Sequence, residues 1–258
     1  MELTMAKMHS LERALIGAAL VAVSALAWAH LLLGTSSDIT AMPMSGAGAG
    51  EWNLNLLNTA LIMWGVMMVA MMLPGATPMI MTYLKIHQRR TASHKAIAPT
   101  WVFLAGYLAV WTAFGAAAAL VQWALHHNVL LSSAMGNVGP LAGAALLMLA
   151  GIFQFSHLKQ ACLGKCQSPV GFLLTEWREG LSGAFIMGIR HGAFCAGCCW
   201  ALMLLMFVGG VMSLAWMSGL AVYFLAEKLM PRPRLLSHIA GTALIVAGVL
   251  VIAASGFH

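Results

Sequence analysis

A chain of 258 residues that is 61% hydrophobic and only 8% charged, with a mean hydropathy of +0.88, is not an ordinary soluble domain, where about a quarter of residues carry charge. It reads as all-α: a polytopic transmembrane helical bundle of about seven spans, one membrane domain over residues 1–258, with the lipid bilayer as its first partner. The formal charge of +6 does not imply a nucleic-acid partner, because the basic residues fall between apolar runs in a regular pattern.

A membrane-crossing helix needs roughly 20 mostly apolar residues, since in lipid every backbone N–H and C=O must bond within the segment. The first such run is Ala14–Leu33, preceded by Lys7 and Arg13. Its "ALAWAH" resembles a small-residue cleavage site, yet an uncharged run of about 20 residues favours a retained anchor over a signal peptide. The connector "GTSSDITAMPMSGAGAGEW" holds Asp38 and Glu51 but no Lys or Arg. Its GAGAG is a flexible link, with no preceding strand and no following Lys-Ser to make a phosphate loop.

The second run, Leu56–Tyr83, contains "MWGVMMVAMMLPGATP". Met63, Met67 and Met71 recur at i, i+4 and i+8, and Met68 and Met72 form a second stripe beside them. Pro74 and Pro78 each remove a helix hydrogen bond, so a break is expected where the methionine face ends, with freed carbonyls lining a cavity. Taken alone, the stripe reads as a soft packing face; beside other sulfur ligands, a thioether site for a soft metal gains weight. Lys85, Arg89, Arg90 and Lys95 follow.

Trp101–Leu125 is the third run. The connector "HHNVLLSSAMGNV" again lacks Lys and Arg, and its adjacent His126 and His127 point to different sides of a helix and read as interfacial. The fourth run, Gly139–Phe155, leads into "FQFSHLKQACLGKCQSP". Cys162 and Cys166 stand at i and i+4, His157 lies upstream, and Lys159 and Lys165 favour thiolate. A cytoplasmic exchange site or a redox pair is expected here, against the plainer reading of two reduced thiols.

The start of the fifth run, Gly183–Val208, is not sharply marked, because "GFLLTEWREGLSGAF" has the character of an interfacial segment that precedes the turn into the bilayer. Within it lies "RHGAFCAGCCW". At about 100° per residue, His191, Cys195 and Cys198 fall within about 60° of one another, with Cys199 beside them and Met187 one turn earlier. Ligand-type residues inside a span are costly and usually face the bundle interior. The ladder is read as a metal site, with thiol redox chemistry and plain packing as alternatives; Arg190 is expected to offset thiolate charge.

The sixth run, Val211–Ala226, ends at Glu227, expected to pair with Lys228 or an Arg at the interface. Arg232 and Arg234 precede the seventh, Leu235–Ala254. Alternate connectors thus hold every Lys and Arg except Arg190, which places the N-terminus in the cytoplasm of a bacterial inner membrane. The five cysteines are an odd number with none in the external segments, so a secreted-type disulfide framework is not expected.

Three stretches together, "MMVAMMLPGATP", "FQFSHLKQACLGKCQSP" and "GIRHGAFCAGCCWALMLLMFVGGVMSLAWM", followed by "EKL", resemble the bacterial family of predicted metal-binding integral membrane proteins, long described as a domain of unknown function. The resemblance runs from about Leu56 to Lys228. Its Cys-x-x-Cys-Cys-Trp-x-Leu-Met type motif is matched by Cys195, Cys198, Cys199, Trp200 and Met203, its Ala-Met-Met-x-Pro motif by Ala70, Met71, Met72 and Pro74, and its Cys-x-x-x-Cys-x-x-Pro pattern by Cys162, Cys166 and Pro169. Where the family carries Tyr-Gln and Thr-Pro-Leu-Lys, this chain has Phe153-Gln154 and Ser156-His157-Leu158-Lys159. His157 thus replaces a usual proline, changing the local turn and adding a ligand. The resemblance implies metal binding and names no substrate.

The expectation is therefore a soft-metal protein. Sulfur with one imidazole favours Cu(I), while zinc also accepts Cys and His. His191, Cys195, Cys198 and Cys199 hold the ion, Met67, Met71 and Met72 form a second site or path, and Cys162, Cys166 and His157 exchange metal at the cytoplasmic face. The metal would be acquired, transferred or transported, supplying a membrane or exported metalloprotein. A membrane thiol–disulfide oxidoreductase and a non-catalytic subunit of a larger membrane complex are the competing functions.

Overall fold

The computed structural model describes residues 2–37, 54–90, 96–127, 138–211 and 213–255. The acidic connector and most of the "HHNVLLSSAMGNV" loop lie outside these residues. Among the described residues ten helices follow in order: α1 (Glu2–Ser37), α2 (Leu54–Arg90), α3 (Ile97–His127), α4 (Pro140–Gln154), α5 (His157–Gln167), α6 (Pro169–Glu176), α7 (Gly180–Met203), α8 (Met206–Gly209), α9 (Leu214–Leu229) and α10 (Pro233–Ser255).

Each of the seven expected apolar runs contains a helix, but they are not equivalent. Among the described residues, five helical stretches are long and apolar enough to cross a membrane: α1, α2, α3, α7 with α8, and α10. A sixth is obtained only if α4 and α5, bent by 65° across a short break, count as one. The expected sixth run is α9, of 16 residues. At 1.5 Å per residue it rises about 24 Å, less than the roughly 30 Å of a hydrocarbon core.

Helix starts and stops follow local chemistry. Pro140 and Pro169 sit in the first turns of α4 and α6, where the missing N–H has no intrahelical partner to lose. Ser156 caps α5 by accepting the Lys159 amide at 3.1 Å, and Ser213 caps α9 by accepting the Trp216 amide at 3.4 Å. α2 departs from expectation. It runs unbroken through Pro74 and Pro78. The Ala70 carbonyl, which Pro74 cannot serve, accepts the Trp28 indole N–H from α1 at 3.0 Å. The freed carbonyl is thus satisfied by protein instead of lining a cavity.

In lipid, helix association relies on close packing instead of hydrophobic drive, so small residues mark the contacts. α3 and α7 form the tightest pair, with Gly188 of α7 pressed onto the α3 backbone: a Cβ there would collide with the Phe103 carbonyl. α4 and α10 pair in the same way, a Cβ on Gly151 falling 2.8 Å from the Gly241 carbonyl.

Contacts between helix ends gather the basic connectors at one end of the bundle. Gln88 of α2 bonds Glu12 of α1 at 2.6 Å, Arg90 pairs with Glu179 at 3.7 Å, and Phe155 stacks on His238. The opposite end joins Val138 to Phe207 through a 2.8 Å backbone bond. The α7 ladder lies between these ends, on a helix that packs against α3, α5, α4 and α9.

Candidate metal centre

The ladder is built as its spacing predicts. Met187, His191, Cys195, Cys198 and Cys199 are all buried on α7, and Cys195 is 0% exposed. The thiols of Cys198 and Cys199 each donate to the Cys195 carbonyl at 3.0 Å. The Cys195 sulfur itself faces away from its own helix and meets partners from two others. Tyr107 of α3 places its hydroxyl 3.4 Å from Sγ and 3.1 Å from the Met72 carbonyl, so its one proton serves either the sulfur or the carbonyl. Lys228 of α9 donates from Nζ to Sγ at 3.1 Å. An ammonium at that distance is the hydrogen-bond partner and counter-charge that a thiolate needs.

The α4–α5 bend folds α5 across this ladder. Its inner face, Lys159, Cys162, Leu163 and Cys166, is buried, the i, i+3, i+4, i+7 pattern of one helix side. Cys166 reaches the side chains of Cys195 and Cys198, and Cys162 Sγ lies over Gly197, 3.0 Å from where a Cβ would stand. The two cysteines expected at a separate cytoplasmic site therefore belong to the same cluster as the ladder. All five cysteines are free and buried. His157 is not with them: it is exposed at the start of α5.

A buried ion pair holds α5 in place. Lys159, 0% exposed, meets Glu227 of α9, 2% exposed, at 2.8 Å from Oε1 and 2.9 Å from Oε2. Tyr223 and Ser237 each donate to Oε1 at 2.7 Å. Glu227 thus pairs neither with Lys228 nor at an interface, as the sequence suggested, but with a lysine delivered by the bend. Its neighbour Lys228, about 100° further round α9, is left to the sulfur.

Arg190 does not serve the thiols. Its side chain is 46% exposed and pairs with Glu176 of α6. His191 is buried between Tyr107, stacked at 5.4 Å, Phe103 at 6.2 Å and the edge of Phe172 at 5.6 Å. Its Nδ1 has no hydrogen-bond partner, which leaves a buried imidazole nitrogen available as a donor. Met67, Met71 and Met72 are buried on α2. Met72 approaches the cluster through its backbone carbonyl and Tyr107. Among the described residues, no three His, Cys, Asp or Glu side chains form a ready-made metal cage; the Cys198 and Cys199 thiols are turned onto a backbone carbonyl.

Tyr107 and Lys228 are the site residues that the sequence reading did not select. Tyr107 carried a usable signal, a hydroxyl isolated in the middle of an apolar run, which must find a partner inside the bundle. Lys228 is the lysine of the "EKL" stretch, but nothing local assigns its side chain to α7.

Fold and site together define an all-helical protein with, among the described residues, five or six helices fit to span a membrane and a sulfur-rich centre buried between them. The chain belongs to the PpoB2 copper chaperone family, whose family model matches residues 61–251. No curated protein and no solved structure matches it.

Proposed function

We propose that this protein is an integral inner-membrane copper chaperone that takes Cu(I) as cargo at the α5–α7 cysteine cluster and passes it to a membrane or exported metalloprotein. The observation that carries this reading is the convergence of thiols from two helices on Cys195, beside a buried imidazole nitrogen with no partner. Thiolate, thioether and imidazole donors suit a soft monovalent ion. Zinc accepts the same thiol and imidazole groups, but the family description favours copper.

In this reading Cys195 and Cys198, with His191, hold the ion. Cys198 or Cys199 turns from the Cys195 carbonyl to sulfur–metal coordination as copper arrives. Cys162 and Cys166 supply the exchanging thiols, and Met67, Met71 and Met72 form the thioether path along α2. The end of the bundle that gathers the basic connectors faces the cytoplasm, with the N-terminus on that side.

A second reading, a membrane thiol–disulfide oxidoreductase, draws on Cys166 lying against Cys195 and Cys198, since thiol exchange needs that proximity. Anaerobic purification with quantification of bound metal by mass spectrometry separates the two. Copper in stoichiometric amount, lost in Cys195→Ser and Cys198→Ser, supports the chaperone. A metal-free protein with a titratable disulfide supports the oxidoreductase.

A further inference from the structure

We propose that Lys228 sets the charge of the ion this centre accepts, favouring a monovalent over a divalent soft cation by standing beside Cys195 as a fixed positive charge. The inference rests on the copper reading above and adds a specificity-determining residue to it.

The lysine is placed there by construction. Its Nζ is 3.1 Å from Cys195 Sγ, and its chain crosses α2 at Gly75. A Cβ on that glycine would stand 2.8 Å from Lys228 Cδ and 2.9 Å from Nζ, so the residue between the two prolines leaves the channel in which the lysine lies. Among the described residues Lys228 makes no salt bridge with a carboxylate. The adjacent Glu227 is fully engaged by Lys159, Tyr223 and Ser237. Arg190 and Glu176 neutralise each other at the surface. The sulfur is the anionic partner of Lys228.

Charge balance then discriminates between ions. Two thiolates, the ammonium and a monovalent ion carry no net charge together. A divalent ion in the same place leaves one positive charge uncompensated in a buried centre, which is costly. Recruiting a third thiolate restores neutrality only by burying another anion and, for Cys199, by giving up its bond to the Cys195 carbonyl. Without the lysine, two thiolates balance a divalent ion instead.

The test uses full-length protein purified anaerobically and loaded separately with Cu(I) and Zn(II), each affinity being measured by competition with a chromophoric chelator. Lys228→Met is expected to lower the ratio of Cu(I) to Zn(II) affinity by about tenfold or more, and Lys228→Arg to keep it within about threefold of wild type. Gly75→Ala keeps the charge but crowds the lysine away from Cys195, and is expected to move the ratio in the same direction as Lys228→Met. Should Lys228→Met fail to assemble, Gly75→Ala carries the expectation alone. An unchanged ratio in the variant that assembles overturns the proposal. A wild type that takes up no Cu(I) overturns the copper reading with it.

Discussion

At the scale of residues, chemistry is concentrated on one sulfur atom. Cys195 is reached from α3 by Tyr107, from α9 by Lys228 and from α5 by Cys166. The ladder was legible because three ligand-type residues repeat at helical spacing on one chain segment. Its supporting residues were not, because each comes from a helix distant in sequence. Arg190 shows the converse error: it neighbours His191 in sequence, but one residue is about 100° of helix, and that rotation carries it to Glu176 at the surface. Tyr107→Phe removes a hydroxyl that the Cys195 sulfur shares with the Met72 carbonyl. Loss of such an outer contact typically costs 10- to 100-fold in metal affinity, so a loss of about tenfold is expected in chelator competition, with helix content by circular dichroism unchanged. An affinity equal to wild type would show that the Tyr107–Cys195 contact is incidental.

At the scale of elements, two features decide where the cysteines sit. The close α3–α7 packing fixes the ladder, and the α4–α5 bend brings in the second pair. Small residues signalled the first, though only the paired backbone shows which glycine matters. Gly188→Leu drives a side chain into the Phe103 carbonyl; overpacking of this kind costs about 1–3 kcal/mol or more, to be read as a lowered midpoint in detergent unfolding. Gly164→Ala, with open space at its Cβ position, is expected to leave that midpoint unchanged. The bend was less legible. Ser156 caps a new helix directly after Phe155, whereas apolarity alone ran the fourth segment straight to its end. What holds the bend is the Lys159–Glu227 pair, and removing one partner of a buried pair costs about 3–5 kcal/mol. Glu227→Gln should therefore lower stability by that order and speed the labelling of Cys162 and Cys166 by a maleimide. Labelling at the wild-type rate would mean that α5 is held by packing alone.

At the scale of the whole molecule, apolar runs and charge asymmetry gave the helical class and the grouping of basic connectors, both properties of composition along the chain. The number of crossings was not equally legible. A window of apolar residues does not distinguish a full span from the 16-residue α9, which ends inside the bundle where Glu227 and Lys228 find buried partners. α4 and α10 run antiparallel, Gly151 meeting Gly241 while Gly248 approaches Ala144, so Ser255 lies toward the end of the bundle that holds Val138 and Phe207. With the basic end in the cytoplasm, a reporter fused after His258 should be active only if it is one that works outside that compartment, and a reporter in the Arg90–Ala96 connector only if it works inside. A cytoplasmic signal from the C-terminal fusion would reverse the proposed path of α10.

Sulfur from α7 and α5 is proposed to bind copper as Cu(I). X-ray absorption at the copper edge of the anaerobically loaded, full-length protein tests it most directly. A Cu(I) edge with a first shell dominated by sulfur is expected, with loss of sulfur scattering in a Cys195→Ser, Cys166→Ser double variant. A first shell of oxygen or nitrogen alone, or a spectrum unchanged in that variant, would contradict it.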